Sequence, residues 1–154
     1  MGHDMELSEL SIDDVKEGDS FDLDEYQMER DEIIAFASKY DPQPYHLSDE
    51  ATVGHPIFKG MSASGWHSVM VTQLMLSAFW QKTKVRGLAG GSVGGITWIM
   101  PVYPGDLLRG RVVIPMIRRS QSRPERALIT MDVTLRNQDE AEVLKLSITG
   151  VFKA

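Results

Sequence analysis

Apolar side chains recur three and four positions apart in residues 30–41, and acidic residues crowd the first turn of this stretch. Pro42 cannot continue a helix, because it lacks a backbone N–H and its ring clashes with the preceding turn. The pattern therefore predicts a short helix that opens at Arg30 or Asp31 and ends before Pro42. Its apolar positions are Ile33, Ile34, Phe36, Ala37 and Tyr40.

A longer apolar stretch covers residues 60–81. These 22 residues contain no Asp, Glu, Lys or Arg, and a stretch of this length is long enough to cross a membrane. We reject a membrane span because polar residues are spread along it, namely Ser62, Ser64, Gly65, His67, Ser68, Thr72, Gln73 and Ser77. We predict instead a helix that is buried on most sides and lies at the core of a domain.

Alternation with period two predicts strands over residues 21–28, 96–100, 107–117, 127–135 and 144–152. Pro115 restricts the third of these strands to a sheet edge or a bulge. Gly87–Gly95 contains five glycines but lacks the Gly-Lys-Ser/Thr ending of a phosphate loop, so we expect a flexible connector there. One strand, then helices, then four strands in succession predict an α+β fold with an antiparallel sheet curled around one long helix.

Length and composition limit the alternatives. A chain of 154 residues fits one domain, which we expect over residues 20–154, after a poorly docked lead-in over residues 1–19. The net charge of -6 argues against a nucleic-acid partner, which would require a basic face. The absence of cysteine excludes disulfides and thiol nucleophiles, and no secretory signal precedes the domain, so we expect a cytoplasmic protein without a membrane partner.

Asp41 and His46 are the strongest candidates for chemistry. Pro42 and Pro44 lie between them and favour a stiff, non-helical loop. A fully extended loop would hold the two side chains about 15 Å apart at roughly 3.1 Å per residue. The pair could serve one substrate atom only if the loop folds back. The alternative is that Asp-Pro starts a simple turn and His46 lies on the polar surface.

Three motifs in order resemble the MaoC-like, (R)-specific enoyl-CoA hydratases. Residues 41–46 (DPQPYH) resemble the Asp-x-Asn-Pro-x-His signature of that family, with Gln43 in place of the usual Asn. Residues 57–61 (IFKGM) resemble its Gly-Met segment before the central helix, and residues 101–106 (PVYPGD) resemble its Pro-Val-x-x-Gly-Asp turn. The resemblance covers roughly residues 20–152 and implies a hot-dog fold.

The resemblance also implies an activity, the reversible hydration of a trans-2-enoyl thioester to a (3R)-3-hydroxyacyl thioester. Asp41 and His46 would then hold one water as an acid-base pair. The backbone N–H of Gly60, at or near the start of the long helix, would stabilise the negative charge on the thioester oxygen. The chemistry needs neither a cofactor nor a metal. The substrate would be carried on coenzyme A or an acyl carrier protein, and the protein would be a homodimer or a higher even-numbered oligomer.

Other residues are candidates for substrate binding. The Gln43 side chain is one methylene longer than the usual Asn, and this change could shift the loop that carries Asp41 and His46. Ser68 could support the water or the His46 ring, whereas we expect His67 to be a structural histidine. Aromatic side chains could line an acyl tunnel or only the core, namely Tyr45, Phe58, Trp66 and Trp98. Arginines at 118, 119, 123 and 126 form either a solvated loop or a phosphate contact.

Two other functions compete with hydration. A hot-dog thioesterase commonly needs a carboxylate on the central helix, and residues 60–81 contain none. A non-catalytic subunit that binds acyl thioesters would not need both Asp41 and His46. The sequence therefore favours a hydratase over both alternatives.

Overall fold

The computed structural model describes residues 5–154 and contains two helices and six strands. The helices are α1 (Arg30–Tyr40) and α2 (Gly65–Gln81). The strands are β1 (Ser20–Asp22), β2 (Tyr26–Gln27), β3 (Gly87–Trp98), β4 (Leu107–Arg119), β5 (Arg126–Arg136) and β6 (Glu142–Lys153). Short 3-10 turns cover Leu7–Glu9, Pro44–His46 and Glu50–Thr52.

The six strands form an antiparallel sheet in the order β1-β4-β5-β6-β3, and β2 also pairs with β4. Helix α2 packs on the sheet through its buried face. Phe79 contacts Phe21 at 4.9 Å between ring centroids, and Trp80 contacts Phe152 at 5.4 Å. The predicted α+β class, an antiparallel sheet around one long helix, is confirmed, and the arrangement is the hot-dog fold.

The start of α2 differs from the prediction. The helix begins at Gly65, because Ser64 has extended backbone geometry and its hydroxyl accepts the N–H of Trp66 at 3.3 Å. Ser64 is therefore the N-cap, and residues 60–64 approach the helix as an irregular segment. Within the described part of the chain, no helix is long and apolar enough to cross a membrane.

The first predicted strand is split in two. Residues 23–25 interrupt the strand between β1 and β2, although the N–H of Leu23 still donates to the carbonyl of Gly110 at 2.8 Å. A Cβ atom at Gly110 would lie 2.9 Å from the Leu23 side chain, so glycine allows this close crossing. Alternation alone could not predict the split, because it depends on a contact with β4.

The expectation of a flexible connector over Gly87–Gly95 is wrong, because these residues form most of β3. The strand pairs with β6 through three register shifts. At Gly91 an added Cβ would lie 2.7 Å from the carbonyl oxygen of Thr149, so glycine here permits close backbone approach within an irregular strand. The expected position of Pro115 is confirmed, since the register of β4 shifts between Val113 and Met116.

The N-terminal segment contributes to the core. Leu10 and Val15 are both buried among the core side chains. The N–H of Lys84 donates to the carbonyl of Leu10 at 2.9 Å, which ties the segment to the chain after α2. The division into a poorly docked lead-in and a domain stays a prediction, and residues 1–4 lie outside the described residues.

Candidate functional site

Asp41 and His46 lie next to each other because the loop between them folds back. Asp41 is the C-cap of α1, and its N–H donates to Ala37. The N–H of Gln43 then donates to the Asp41 carbonyl at 2.8 Å, and the N–H of His46 donates to the Gln43 carbonyl at 2.9 Å. These turns bring Asp41 Oδ2 to 3.4 Å from His46 Nε2. The distance is long for a direct hydrogen bond, but it allows both atoms to contact one small reactant.

The His46 ring is held in place through its Nδ1 atom. His46 Nδ1 lies 2.7 Å from the carbonyl oxygen of Ser62, and the side chain is buried. A carbonyl oxygen can only accept, so Nδ1 carries the hydrogen and donates it to Ser62. In the neutral ring, Nε2 then has a free lone pair directed towards Asp41. The contact with Ser62 therefore selects the tautomer in which Nε2, the nitrogen near Asp41, is the one that can take a proton.

Asp41 is oriented by α2. The hydroxyl of Ser64 donates to Asp41 Oδ2 at 2.7 Å, and the Asp41 side chain is 23% exposed. Asp41 Oδ1 has no hydrogen-bond donor among residues 5–154. One carboxylate oxygen is thus held by the helix N-cap, and the other remains available to a ligand.

The pair opens into a cavity of about 400 Å³. The lining includes five of the sequence candidates for substrate binding, Tyr45, Phe58, Trp66, Trp98 and Ser68. The Tyr45 ring packs edge-on against His46 at 4.5 Å and also contacts Phe58 at 4.9 Å. The cavity therefore has aromatic walls on the side of His46 and the first turn of α2, from Gly65 to Ser68, on the other.

Two sequence candidates do not line the cavity. The Gln43 side chain is exposed and has no hydrogen-bond partner in the described residues, so its backbone groups, not its amide, hold the loop. Gly60 lies five residues before α2, so the expectation that it starts the helix is wrong. The binding role of Gln43 and the donor role of Gly60 stay predictions.

Gly65 was missed by the sequence reasoning. It is the first residue of α2, it lines the cavity, and its N–H has no acceptor among residues 5–154. An added Cβ would lie 2.4 Å from Trp98 Nε1, so any larger residue would displace the Trp98 ring. The sequence held a signal for it, because Ser64 followed by a long apolar stretch is typical of a helix N-cap.

Asp49 was also missed. Its Oδ1 accepts the N–H of Met61 at 2.8 Å, and its Oδ2 pairs with Arg30 at 3.1 Å. The hydrogen bond from Met61, together with the charge of Arg30, lowers the pKa of the Asp49 carboxyl from its ordinary value. The carboxylate thus ties the segment before α2 to the first turn of α1.

His67 and the arginine hairpin lie outside this cavity. His67 Nε2 contacts Glu32 Oε1 at 3.0 Å, on the α1 side of α2. The hairpin joins β4 to β5, where Arg126 pairs with Lys153, whereas Trp98 of the cavity pairs with Leu144. These two points on β6 are nine residues apart, roughly 30 Å along the strand. The hairpin therefore cannot reach the cavity of its own chain.

A second cavity, of about 540 Å³, lies beside the C-terminal half of α2, and its lining contains no Asp, Glu or His. It therefore offers no acid-base group. No cluster of three or more His, Asp or Glu side chains suited to a metal ion occurs within residues 5–154. The 400 Å³ cavity around Asp41 and His46 is the candidate active site.

No family model matches the sequence. The chain is 26% identical over 148 residues to the uncharacterized protein YdeM of Bacillus subtilis strain 168, covering 94% of this chain and 99% of that protein. A MaoC-like dehydratase from Rhodospirillum rubrum is 33% identical, with a TM-score of 0.79, over 94% of this chain and 98% of that structure. The (R)-hydratase of A. caviae involved in PHA biosynthesis is similar in fold, with 18% identity and a TM-score of 0.68 over 90% and 96% of the two chains.

Proposed function

Because this chain belongs to the MaoC-like dehydratase family, as its identity to the Rhodospirillum rubrum protein establishes, we propose that it interconverts trans-2-enoyl and (3R)-3-hydroxyacyl thioesters. The observation that carries the proposal is the 3.4 Å distance between Asp41 Oδ2 and His46 Nε2, with each side chain held by a separate hydrogen bond. General acid-base catalysis requires two such groups within reach of one water.

The tautomer of His46 supports a division of roles between the two side chains. Its Nε2 lone pair takes a proton from the water, while the free Oδ1 of Asp41 accepts the other hydrogen and orients the attack. The resulting imidazolium is stabilised by the adjacent carboxylate. The step consumes one water and leaves both side chains in their starting protonation states. The water oxygen bonds to C3, one hydrogen stays in the new hydroxyl, and the other passes from His46 to C2.

The negative charge that develops on the thioester oxygen needs a donor. Gly65 N–H is at the positive end of α2, lines the cavity and has no acceptor within residues 5–154. The hydroxyl of Ser68, one turn further along α2, also lines the cavity and has no hydrogen-bond partner in that part of the chain. We propose the N–H of Gly65 as the main donor to the thioester oxygen, with the hydroxyl of Ser68 beside it. The sequence alone suggests the N–H of Gly60 for this role.

The substrate would be an acyl chain carried as a thioester of coenzyme A or an acyl carrier protein. Aromatic walls suit an apolar chain, and Gln43 at the exposed loop could contact only the part of the substrate outside the cavity. Arg118 and Arg123 have no acidic partner among residues 5–154, but they lie roughly 30 Å from the cavity in the same chain. We therefore assign them no role within one subunit, and we expect the enzyme to act in the cytoplasm.

We also propose that the protein forms a homodimer. Only β6 pairs with β3 among the described strands, so the outer edge of β3 is open. Trp98 on β3 packs edge-on against Trp66 on α2, which makes the strand edge and the exposed stripe of the helix one surface. Its apolar side chains are about half exposed, namely Leu88, Val93, Trp98, Trp66, Met70 and Leu74. An open edge beside an apolar stripe is suited to a second copy of the chain.

The two competing functions have less support. Helix α2 contains no Asp or Glu that could act in a thioesterase. A binding subunit would not require the carbonyl of Ser62 and the hydroxyl of Ser64 to fix the two reactive side chains in a productive arrangement.

Incubating the protein with crotonyl-CoA separates the three functions. A hydratase removes the enoyl absorbance without releasing thiol, and the 3-hydroxy product is oxidised by an (R)-specific dehydrogenase. Release of thiol would identify a thioesterase instead. Saturable binding of an acyl-CoA without either reaction would identify a binding subunit, and the Asp41→Asn variant serves as the blank.

A further inference from the structure

A chain of three side chains links α1 to α2 on the side away from the cavity. His67, three residues after the N-cap of α2, is buried and places Nε2 at 3.0 Å from Glu32 Oε1 of α1. Its ring also stacks on Phe36 of α1, with centroids 4.7 Å apart and planes 8° apart. Glu32 accepts the phenol hydrogen of Tyr26 in β2 at 2.6 Å. One carboxylate thus joins β2, α1 and α2.

The buried His67 ring fixes the direction of these hydrogen bonds. Its Nδ1 is buried and has no partner in residues 5–154. A buried N–H without an acceptor is unfavourable, so the hydrogen resides on Nε2 and is donated to Glu32. Glu32 then accepts from both Tyr26 and His67, which only an ionised carboxylate can do without donating in return. Partial burial raises the pKa of the Glu32 carboxyl, but the hydrogen bonds from Tyr26 and His67 outweigh it and hold the pKa below 4.5.

The residues that link α1 to α2 are spaced differently along the two helices. Glu32 and Asp41 are nine residues apart, about 13.5 Å along the axis of α1. Their partners His67 and Ser64 are three residues apart, about 4.5 Å along the axis of α2. Both ends of α1 are therefore tied to the first turn of α2. Together with the packing of Phe36 on His67 and the exposed ion pair of Arg30 with Asp49, the tie at Glu32 limits tilting of α1 about Asp41.

We propose that Glu32 and His67 are positioning residues that hold α1 at the angle that places the Asp41 carboxylate against His46. This role rests on the proposed hydratase activity. The structural effect of the two residues is to order the C-terminal end of α1. A displacement of the carboxylate of about 1 Å would cost roughly 100-fold in rate.

The test compares Glu32→Gln with Asp31→Asn, which removes the same charge from the same turn of α1 at a residue whose side chain makes no hydrogen bond within the described chain. The glutamine amide is neutral, so the charge-assisted hydrogen bonds that Tyr26 and His67 donate to the carboxylate become weaker, neutral ones. We expect Glu32→Gln to lower kcat at least about tenfold with KM unchanged, because the interaction acts on the reacting geometry. Asp31→Asn should retain the wild-type values.

Two further comparisons separate positioning from stability. His67→Gln keeps a donor for Glu32 and should restore most of the activity that His67→Leu loses. Ser64→Ala removes the other tie, so combining it with Glu32→Gln should cost more than the sum of the single losses in free energy. Additive losses would overturn the two-tie arrangement. If Glu32→Gln fails to fold, Tyr26→Phe removes one donor and takes its place in the comparison.

Hydrogen exchange supplies a readout that needs no activity. The N–H of Asp41 donates to Ala37 at 2.9 Å, and Glu32→Gln should accelerate its exchange, whereas Asp31→Asn should not. Faster exchange in a protein without hydratase activity would refute the proposed reaction and still support the positioning of Asp41. Unchanged exchange together with unchanged kcat in Glu32→Gln would overturn the inference.

Discussion

The hydroxyl of Ser64 donates to Asp41 Oδ2 at 2.7 Å, and the same side chain caps the N-terminus of α2. One residue therefore both starts the core helix and orients the carboxylate that faces His46. This double role explains why Asp41 and His46, which lie at the two ends of a loop, can have a fixed geometry. The loop is attached to a helix that packs on the sheet through a buried face.

Replacing Ser64 by Ala should separate these two effects. Loss of the cap should lower the free energy of unfolding by about 1 kcal/mol. Loss of the hydrogen bond to Asp41 should also lower kcat in enzyme that remains folded. Thermal melting and kinetics measure the two effects, and Ser77→Ala in the same helix is the control. A melting shift with unchanged kcat would refute the role of Ser64 in orienting Asp41.

The pair itself is tested by Asp41→Asn and His46→Gln. Each keeps the size and some hydrogen bonding of the original residue, so a loss of roughly 10² to 10⁴ in kcat with the fold intact would report proton transfer. Because both residues serve one water, the double variant should be scarcely slower than the slower single variant. Additive losses would indicate two independent roles, and near-normal hydration by both single variants would favour the binding subunit.

Stability at low pH should depend on Glu32. Its pKa is lower in the folded state, so its contribution is present above about 4.5, the ordinary value, and is lost as the pH falls through the folded pKa. The difference in melting temperature between wild type and Glu32→Gln should therefore shrink below that pH. A difference that stays constant down to pH 2 would contradict the two hydrogen bonds to this carboxylate.

Stability at high pH should depend on Tyr26. Burial, then the hydrogen bond to Glu32 and the charges of Glu32 and Glu29, raise the pKa of Tyr26 to about 12. The unfolded state loses its phenol proton near pH 10, so this contribution is full below pH 10 and is lost as the pH rises towards 12. An absorbance titration should show a phenolate step near pH 12 that is absent from Tyr26→Phe. The same step in both proteins would exclude Tyr26 as its source.

Light scattering at micromolar concentration should give a mass near 34 kDa, twice the 17.2 kDa of the chain. Met70→Glu should shift the protein towards the monomer, because it places a charge within the exposed apolar stripe of α2. The control is Glu125→Lys, a charge reversal at an exposed residue outside the proposed dimer surface. A wild-type mass near 17 kDa would refute the dimer.

Local pattern determined much of the fold. The spacing of apolar residues and Pro42 were sufficient to predict α1, which spans Arg30–Tyr40. Alternation was sufficient for β4, β5 and β6, because each has one buried face. The DPQPYH motif and two further motifs in order indicated the family before any contact was known, since a motif depends only on nearby positions.

Only the tertiary structure decided how distant residues meet. Local turns bring Asp41 near His46, but the orientation of the two side chains depends on the carbonyl of Ser62 and the hydroxyl of Ser64, which are separated from the pair by about twenty residues. The sequence alone predicted a flexible connector where the glycines of β3 lie. Sequence spacing does not reveal that the carbonyl of Thr149 packs against Gly91. The tie between Glu32 and His67 spans 35 positions. Such contacts are set by packing of whole elements, and they leave no periodic signal in the chain.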